Sequence, residues 1–369
     1  MSARTARVSG GGQKVRQSGI ELLRILAILA IILHHLLLYS GASLGVDGEI
    51  GGGRQILFSG LSGFGKVGVG IFFMITGYFL CKRKTAPQPR RVWPIIRQMA
   101  FYVVVSFGLS LIFLKDKIDF EFPPSGVLLS YLDIWNGYYW FIGSYVLLMI
   151  LSPQIKKMLD HLSDRELVRV TLIIALLASV GTDLWRLLRF GDNGIVSSFY
   201  LPTAIIYCLI GYTVCRLEKY ITGRGWAAFA LLLGTILIMM SPLVTNYYAN
   251  MGWGKLPDIF RREQATGTML AAIGSFIIFM KMKWTNRVVN KTASWTLATY
   301  LIHNNPFVLW MTIWSSGNAV RLTTILYYGS IPKAFVMLAA FTIEIFLVCG
   351  VIESVRRLAV RAIMRVSNL

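Results

Sequence analysis

Ser18-Gly19-Ile20-Glu21-Leu22-Leu23-Arg24-Ile25-Leu26-Ala27-Ile28-Leu29-Ala30-Ile31-Ile32-Leu33-His34-His35-Leu36-Leu37-Leu38-Tyr39 is the stretch on which the reading of this chain turns. At ~1.5 Å per residue it is long enough, as a helix, to cross the roughly 30 Å hydrocarbon core of a bilayer. It also carries ionisable groups that a spanning helix normally excludes. Arg24 and His35 are eleven residues apart. At about 100° per residue that separation is three turns plus roughly 20°, so the two share a face about 16 Å apart along the axis. Glu21 lies one turn before Arg24, within pairing reach. His34 points about 100° away from His35, so only one of the two adjacent histidines belongs to this polar stripe.

An arginine at the centre of a membrane helix costs roughly 2.5–3.5 kcal/mol on insertion scales, and intramembrane ionisable groups are functional candidates for that reason. Plainer readings exist for each. Arg24 is close enough to one end to snorkel, and His35 can be a packed histidine bonded to a neighbouring helix.

The rest of the chain agrees with a membrane protein. Of its 369 residues 55% are hydrophobic and only 15% charged, where a soluble domain has about a quarter charged. Mean hydropathy is +0.61. Further apolar runs follow at 67–81, 97–114, 138–153, 168–188, 198–215, 226–243, 264–281, 295–314 and 334–355. With the first they predict an all-α, polytopic transmembrane bundle of about ten spans. Residues 1–17 read as a disordered basic tail, 18–357 as the membrane domain and 358–369 as a second basic tail, both tails cytoplasmic. Pro123-Pro124-Ser125 to Trp135 reads as an interfacial or re-entrant segment.

The net charge of +20 is explained by topology. With a cytoplasmic N-terminus and ten spans, 25 of the 37 Lys and Arg fall in cytoplasmic segments, 11 in external ones, and Arg24 within the first span. That split follows the positive-inside rule and removes the need for a nucleic-acid partner. Cys81, Cys208, Cys215 and Cys349 form no CxxC pair, so no metal or redox site is expected.

Several motifs can carry chemistry. Gly63-Phe64-Gly65-Lys66-Val67-Gly68 matches G-x-G-x-x-G, but a dinucleotide site needs a strand before it. Here it opens a membrane helix, where small residues serve close packing. Lys82, Arg83, Lys84, Arg90, Arg91 and Arg97 crowd the stretch after the second span. They form a positive-inside loop or a phosphate-binding surface; Lys82, Lys84, Arg90, Arg91 and Arg97 are the candidate donor-binding residues. Trp135-Asn136-Gly137-Tyr138-Tyr139-Trp140-Phe141 is an interfacial aromatic belt or, through Trp140, a platform for a sugar ring. Tyr300-Leu301-Ile302-His303-Asn304-Asn305-Pro306 puts a histidine deep in a span and then breaks the helix. Broken helices at membrane depth are tolerated where they line a cavity, which makes Tyr300, His303 and Asn304 substrate-binding candidates.

Four of these motifs together resemble a family, the integral-membrane acyltransferase family 3, bacterial enzymes that O-acylate cell-surface carbohydrates. Arg24-x10-His35 is similar to its first-span motif. Phe72-Phe73-Met74-Ile75-Thr76-Gly77-Tyr78 resembles its F-F-x-x-S-G followed by Phe or Tyr, with Thr76 in place of Ser. Trp140-Phe141 with Leu151-Ser152-Pro153 resembles its W-F…S-P helix, and Tyr300-Leu301-Ile302-His303 its Y-L-x-H signature. The matches run in family order over about 18–306. The family's arginine motif is met only in outline, by Arg90-Arg91-Val92-Trp93-Pro94.

The resemblance implies an O-acetyltransferase of the bacterial cytoplasmic membrane. The donor would be cytoplasmic acetyl-CoA and the acceptor a hydroxyl of a surface or lipid-linked glycan. His35 would act as general base or nucleophile, with Arg24 and Glu21 beside it. No metal and no appended hydrolase-like domain are expected. The competing reading from the residues is a transporter or flippase for glycolipid units, since intramembrane charge and broken helices also suit transport. Against it, the two halves show no internal symmetry.

Overall fold

The computed structural model describes residues 17–40, 52–113, 137–188, 200–251, 259–309, 324–326 and 328–366. The first sixteen residues and the Pro123–Trp135 segment, about which the sequence made predictions, lie outside them. Among the described residues there are helices and turns and no strand.

The helices are α1 (Ser18–Tyr39), α2 (Gly53–Ser62), α3 (Phe64–Cys81), α4 (Trp93–Phe113), α5 (Trp140–His161), α6 (Asp164–Leu187), α7 (Leu201–Arg216), α8 (Gly225–Asn250), α9 (Thr266–Met280), α10 (Arg287–Thr292), α11 (Thr296–His303) and α12 (Ile331–Val366). Every predicted apolar run meets one of them. Among the described residues, six helical stretches are long and apolar enough to cross a membrane: α1, α2 with α3, the 3-10 turn Pro89–Val92 with α4, α6, α8 and α12. The other runs fall short for visible reasons. Lys156, Lys157 and Asp160 charge the end of α5, and α7 and α9 are brief. The run at 295–314 breaks after His303, at Asn304-Asn305-Pro306. Helix α12 continues to Val366, so most of the stretch assigned to a C-terminal tail is helical.

Exposed apolar side chains mark the faces that meet lipid. Val104 and Ile112 of α4, Leu177 of α6, Phe229 of α8 and Val336 of α12 are each more than 60% exposed. Together with the long apolar helices, so many exposed large apolar side chains are the mark of a surface made for lipid. The protein is a multi-pass membrane protein.

Helix α3 lies at the centre, against α1, α5, α7 and α9. Glycines let it approach. A Cβ on Gly77 would strike the Cys208 carbonyl of α7, and one on Gly211 the Met74 carbonyl of α3. Gly65 and Gly68 play the same part against α1, where added Cβ atoms would meet His34 and the Ala27 carbonyl. The glycines of the G-x-G-x-x-G match therefore serve helix packing, as the sequence suggested. Between membrane helices, close packing of small residues substitutes for the hydrophobic effect.

Polar ties hold the end of the bundle where α1 begins. Ser18 N–H donates to the Trp284 carbonyl (3.0 Å), and the Ser18 hydroxyl donates to Asn290 Oδ1 (2.8 Å). Asn286 caps α10 by accepting from the Val288 and Val289 amides (2.8 and 3.1 Å). Ser163 and Glu166 make a reciprocal capping box at the start of α6, the arrangement that satisfies two orphan helix donors at once. In α12 the fully buried Glu353 accepts from Arg356 (2.7 and 2.8 Å), Arg357 (2.6 Å) and the Tyr102 hydroxyl of α4 (2.6 Å). A buried carboxylate is tolerable only with such partners, and here they lock α12 onto α4.

Candidate active site

The polar stripe of α1 forms as its spacing predicts. Glu21 is buried, and its carboxylate lies 3.6 Å from the Arg24 guanidinium, which is about one-third exposed. The Arg24 guanidinium also sits over the ring of Phe79, 5.7 Å from its centroid, in range for a cation–π contact. Phe79 is a residue of the last turn of α3. This contact brings the Arg24 end of α1 to the mouth of the basic loop that follows α3.

That loop lines an open concavity of about 570 Å³, bordered by Phe79, Lys82, Arg83, Lys84, Thr85, Ala86 and Arg91. Of the predicted donor-binding residues, Lys82, Lys84 and Arg91 line it. Arg90 and Arg97 are exposed outside it, and Arg83, which was not among them, joins it. Lys82 is braced by Glu218 (3.1 Å) and by the Tyr78 ring (4.5 Å to the centroid). Partial burial works against its ammonium, but those partners outweigh it and raise its pKa to about 12. Four cations around one concavity are suited to phosphate groups.

Three turns along α1, the two histidines part company. His34 Nδ1 donates to the Ser62 carbonyl of α2 at 2.8 Å, since a carbonyl can only accept. His35 turns the other way. Its Nδ1 lies 2.9 Å from His303 Nε2, and His303 Nδ1 lies 2.6 Å from the Thr299 carbonyl one turn back in α11. His35 is half-buried and His303 buried. Tyr39, one turn beyond His35, stacks on its ring (centroids 5.5 Å apart) and donates to Asn304 Oδ1 (3.1 Å).

The break after α11 is held by the start of α5. The Tyr138 carbonyl accepts from the Tyr300 hydroxyl (3.0 Å) and from Asn304 Nδ2 (2.5 Å). Asn305 Nδ2 donates to the Tyr139 hydroxyl (2.8 Å), which donates to the Leu301 carbonyl (3.0 Å). Tyr300 and Asn304 are thus buried and bonded to backbone. Trp140 stacks on Tyr200 with centroids 3.9 Å apart, so one of its faces is occupied. The Phe72-Phe73 pair of α3 meets Phe141 (5.9 and 5.0 Å), joining two of the sequence motifs.

A profile described as an acyltransferase domain, that of acyltransferase family 3, matches residues 17–352. The chain belongs to acyltransferase family 3. No curated protein and no solved structure matches it. Membership stands against the transporter reading. The matched range takes in the α1 stripe, the basic cavity and the His35–His303 pair of this acyltransferase.

Some of the local arrangement was not picked out from sequence. Tyr39 follows His35 by four residues, and that i,i+4 spacing is a signal for a ring contact. The Lys66–Glu263 pair (2.5 Å) next to the His34 contact, with the Tyr207 hydroxyl donating to the Glu263 carbonyl (2.5 Å), gave no such signal. Its members are 197 residues apart.

Proposed function

We propose that this membrane acyltransferase moves an acetyl group from cytoplasmic acetyl-CoA to a hydroxyl of a cell-surface or lipid-linked glycan. One observation carries the reading: the basic cavity and the α1 stripe share Phe79. Anionic donor phosphates fit the cavity formed by Lys82, Arg83, Lys84 and Arg91. The acyl arm then runs past Phe79 and Arg24 towards His35. The protein lies in the bacterial cytoplasmic membrane with about ten spans and both termini on the cytoplasmic side, which puts the cavity where coenzyme A is found. Trp140, with Tyr300 and Asn304, is assigned to the acceptor end.

At His35 the chemistry begins from an unprotonated ring nitrogen. As base, it takes the proton of the acceptor hydroxyl while the oxygen bonds to the thioester carbonyl carbon. The tetrahedral oxyanion then collapses, the C–S bond breaks, and the departing thiolate takes the proton back from the imidazolium. As nucleophile, the same nitrogen first bonds to the carbonyl carbon while the C–S bond breaks and the thiolate departs; the acceptor oxygen then bonds to that carbon, the C–N bond breaks, and the hydroxyl proton passes to the freed nitrogen and from it to the thiolate.

The test is direct. Membranes holding the protein, supplied with labelled acetyl-CoA, should transfer label to carbohydrate, and cell-surface glycans should lose O-acetyl groups by mass spectrometry when the gene is removed. Changing Arg83 and Arg91 together to Gln should raise the donor KM and weaken its salt dependence. Glycans unchanged by loss of the gene, or donor kinetics unchanged in a folded double variant, would contradict the reading.

A further inference from the structure

We infer that His303 is a positioning residue that fixes which nitrogen of His35 is basic. The inference rests on the proposal that His35 is the reacting group, and it follows from two hydrogen bonds in series. The Thr299 carbonyl can only accept, so the hydrogen in its 2.6 Å contact belongs to His303 Nδ1. In a neutral imidazole one nitrogen donates and the other accepts. His303 Nε2 is therefore an acceptor, and the hydrogen in its 2.9 Å contact belongs to His35 Nδ1. What remains is His35 Nε2, with its lone pair available. A backbone carbonyl in α11 thus sets the tautomer of a ring in α1.

Exposure divides the labour in the same sense. His303 is only 6% exposed, whereas His35 is half-buried. When His35 Nε2 gains a proton or an acyl group, the ring becomes cationic. Its Nδ1–H bond to His303 is then charge-assisted, roughly twice as strong as between neutral partners. The proton can also pass to His303 Nε2, whose own Nδ1–H remains on the Thr299 carbonyl. In either case the charge is spread over two rings. The supporting ring of α11 is held in turn by the Asn304 and Asn305 bonds to Tyr138 and Tyr139, which gives the helix break a purpose.

Two amide replacements separate the parts of His303. In His303→Asn the side-chain amide is in place of Nδ1 and can keep the Thr299 bond, but it has no acceptor at the Nε2 position. In His303→Gln the amide oxygen reaches the Nε2 position and can accept from His35. With labelled acetyl-CoA and membranes holding the full chain, His303→Asn should lower kcat by roughly 10²-fold, the lower end of what general-base help is worth, with donor KM unchanged. His303→Gln should recover about tenfold of that. A second measurement needs no altered His303: solid-state ¹⁵N spectra of histidine-labelled protein, in which the ring lost in His35→Gln should carry hydrogen on Nδ1 and not on Nε2. A His303→Asn enzyme at full rate, equal losses in Asn and Gln, or hydrogen on His35 Nε2 would overturn the inference. An active His35→Ala enzyme would instead overturn the assignment of the reaction to His35.

Discussion

Arg24 shows how a single residue can belong to two sites at once. It is paired to Glu21 at 3.6 Å and rests over Phe79, which also lines the basic cavity. Lysine would keep the charge but lose the planar, weakly hydrated guanidinium that stacks on an aromatic face. A cation–π contact at such a site is worth about 0.5–1 kcal/mol, so Arg24→Lys should raise the donor KM roughly two- to fivefold. Steady-state kinetics with varied acetyl-CoA reads this; an unchanged KM would reduce Arg24 to a snorkelling charge. The face shared by Arg24 and His35, and the departure of His34 from it, were legible in the eleven-residue spacing because a helix fixes angles between its own residues. The partner of His35 was not. His303 lies 268 residues away in sequence, and periodicity within one span says nothing about which other span it meets. Trp140 makes the same point: its sequence context predicts a flat aromatic face, but Tyr200 covers one side of it.

The close approach of α3 and α7 fixes the scaffold on which the site rests. Gly77 lies on the Cys208 carbonyl and Gly211 on the Met74 carbonyl, so neither helix has room for a methyl group there. Overpacking of this kind typically costs 1–3 kcal/mol. Gly77→Ala should therefore lower the thermal midpoint of the detergent-purified protein by several degrees, at about 2–4 °C per kcal/mol as for smaller soluble domains. It should also loosen the contact of Phe72 and Phe73, on the same helix, with Phe141 of α5. An unchanged midpoint would mean that the two helices separate without cost. The existence of both helices was legible as apolar runs, and the role of the α3 glycines in packing was legible in their spacing. That Gly77 meets Cys208 and Gly211 meets Met74 was not, because the match is set by the register of two distant spans.

At the scale of the whole molecule, the sequence yields the helices and the charge asymmetry, and the fold shows what they enclose. The apolar run at 295–314 breaks at Asn304-Asn305-Pro306, and the polar atoms at the break are bonded to the start of α5. Proline and two asparagines made the break legible; the tyrosines that hold it were legible only as an aromatic belt. The predicted orientation is testable in a background lacking the four native cysteines. Thr85→Cys, in the basic loop, should resist a membrane-impermeant thiol reagent in intact cells, while Tyr328→Cys should react. Labelling of Thr85→Cys without lysis would reverse the topology and remove the cavity from the coenzyme A side.

The central claim is that acyl transfer takes place at His35. It is tested most directly by acetyl transfer from labelled acetyl-CoA, per folded molecule, in His35→Ala and His34→Ala side by side. The account predicts that His35→Ala loses at least 10²–10⁴-fold, the worth of a general base, at nearly unchanged thermal stability. His34→Ala, which loses its bond to the Ser62 carbonyl and its ring contact with His35 but no group placed in the reaction, should keep most of its activity. An active His35→Ala enzyme, or a pair in which His34→Ala is the inactive one, would contradict it.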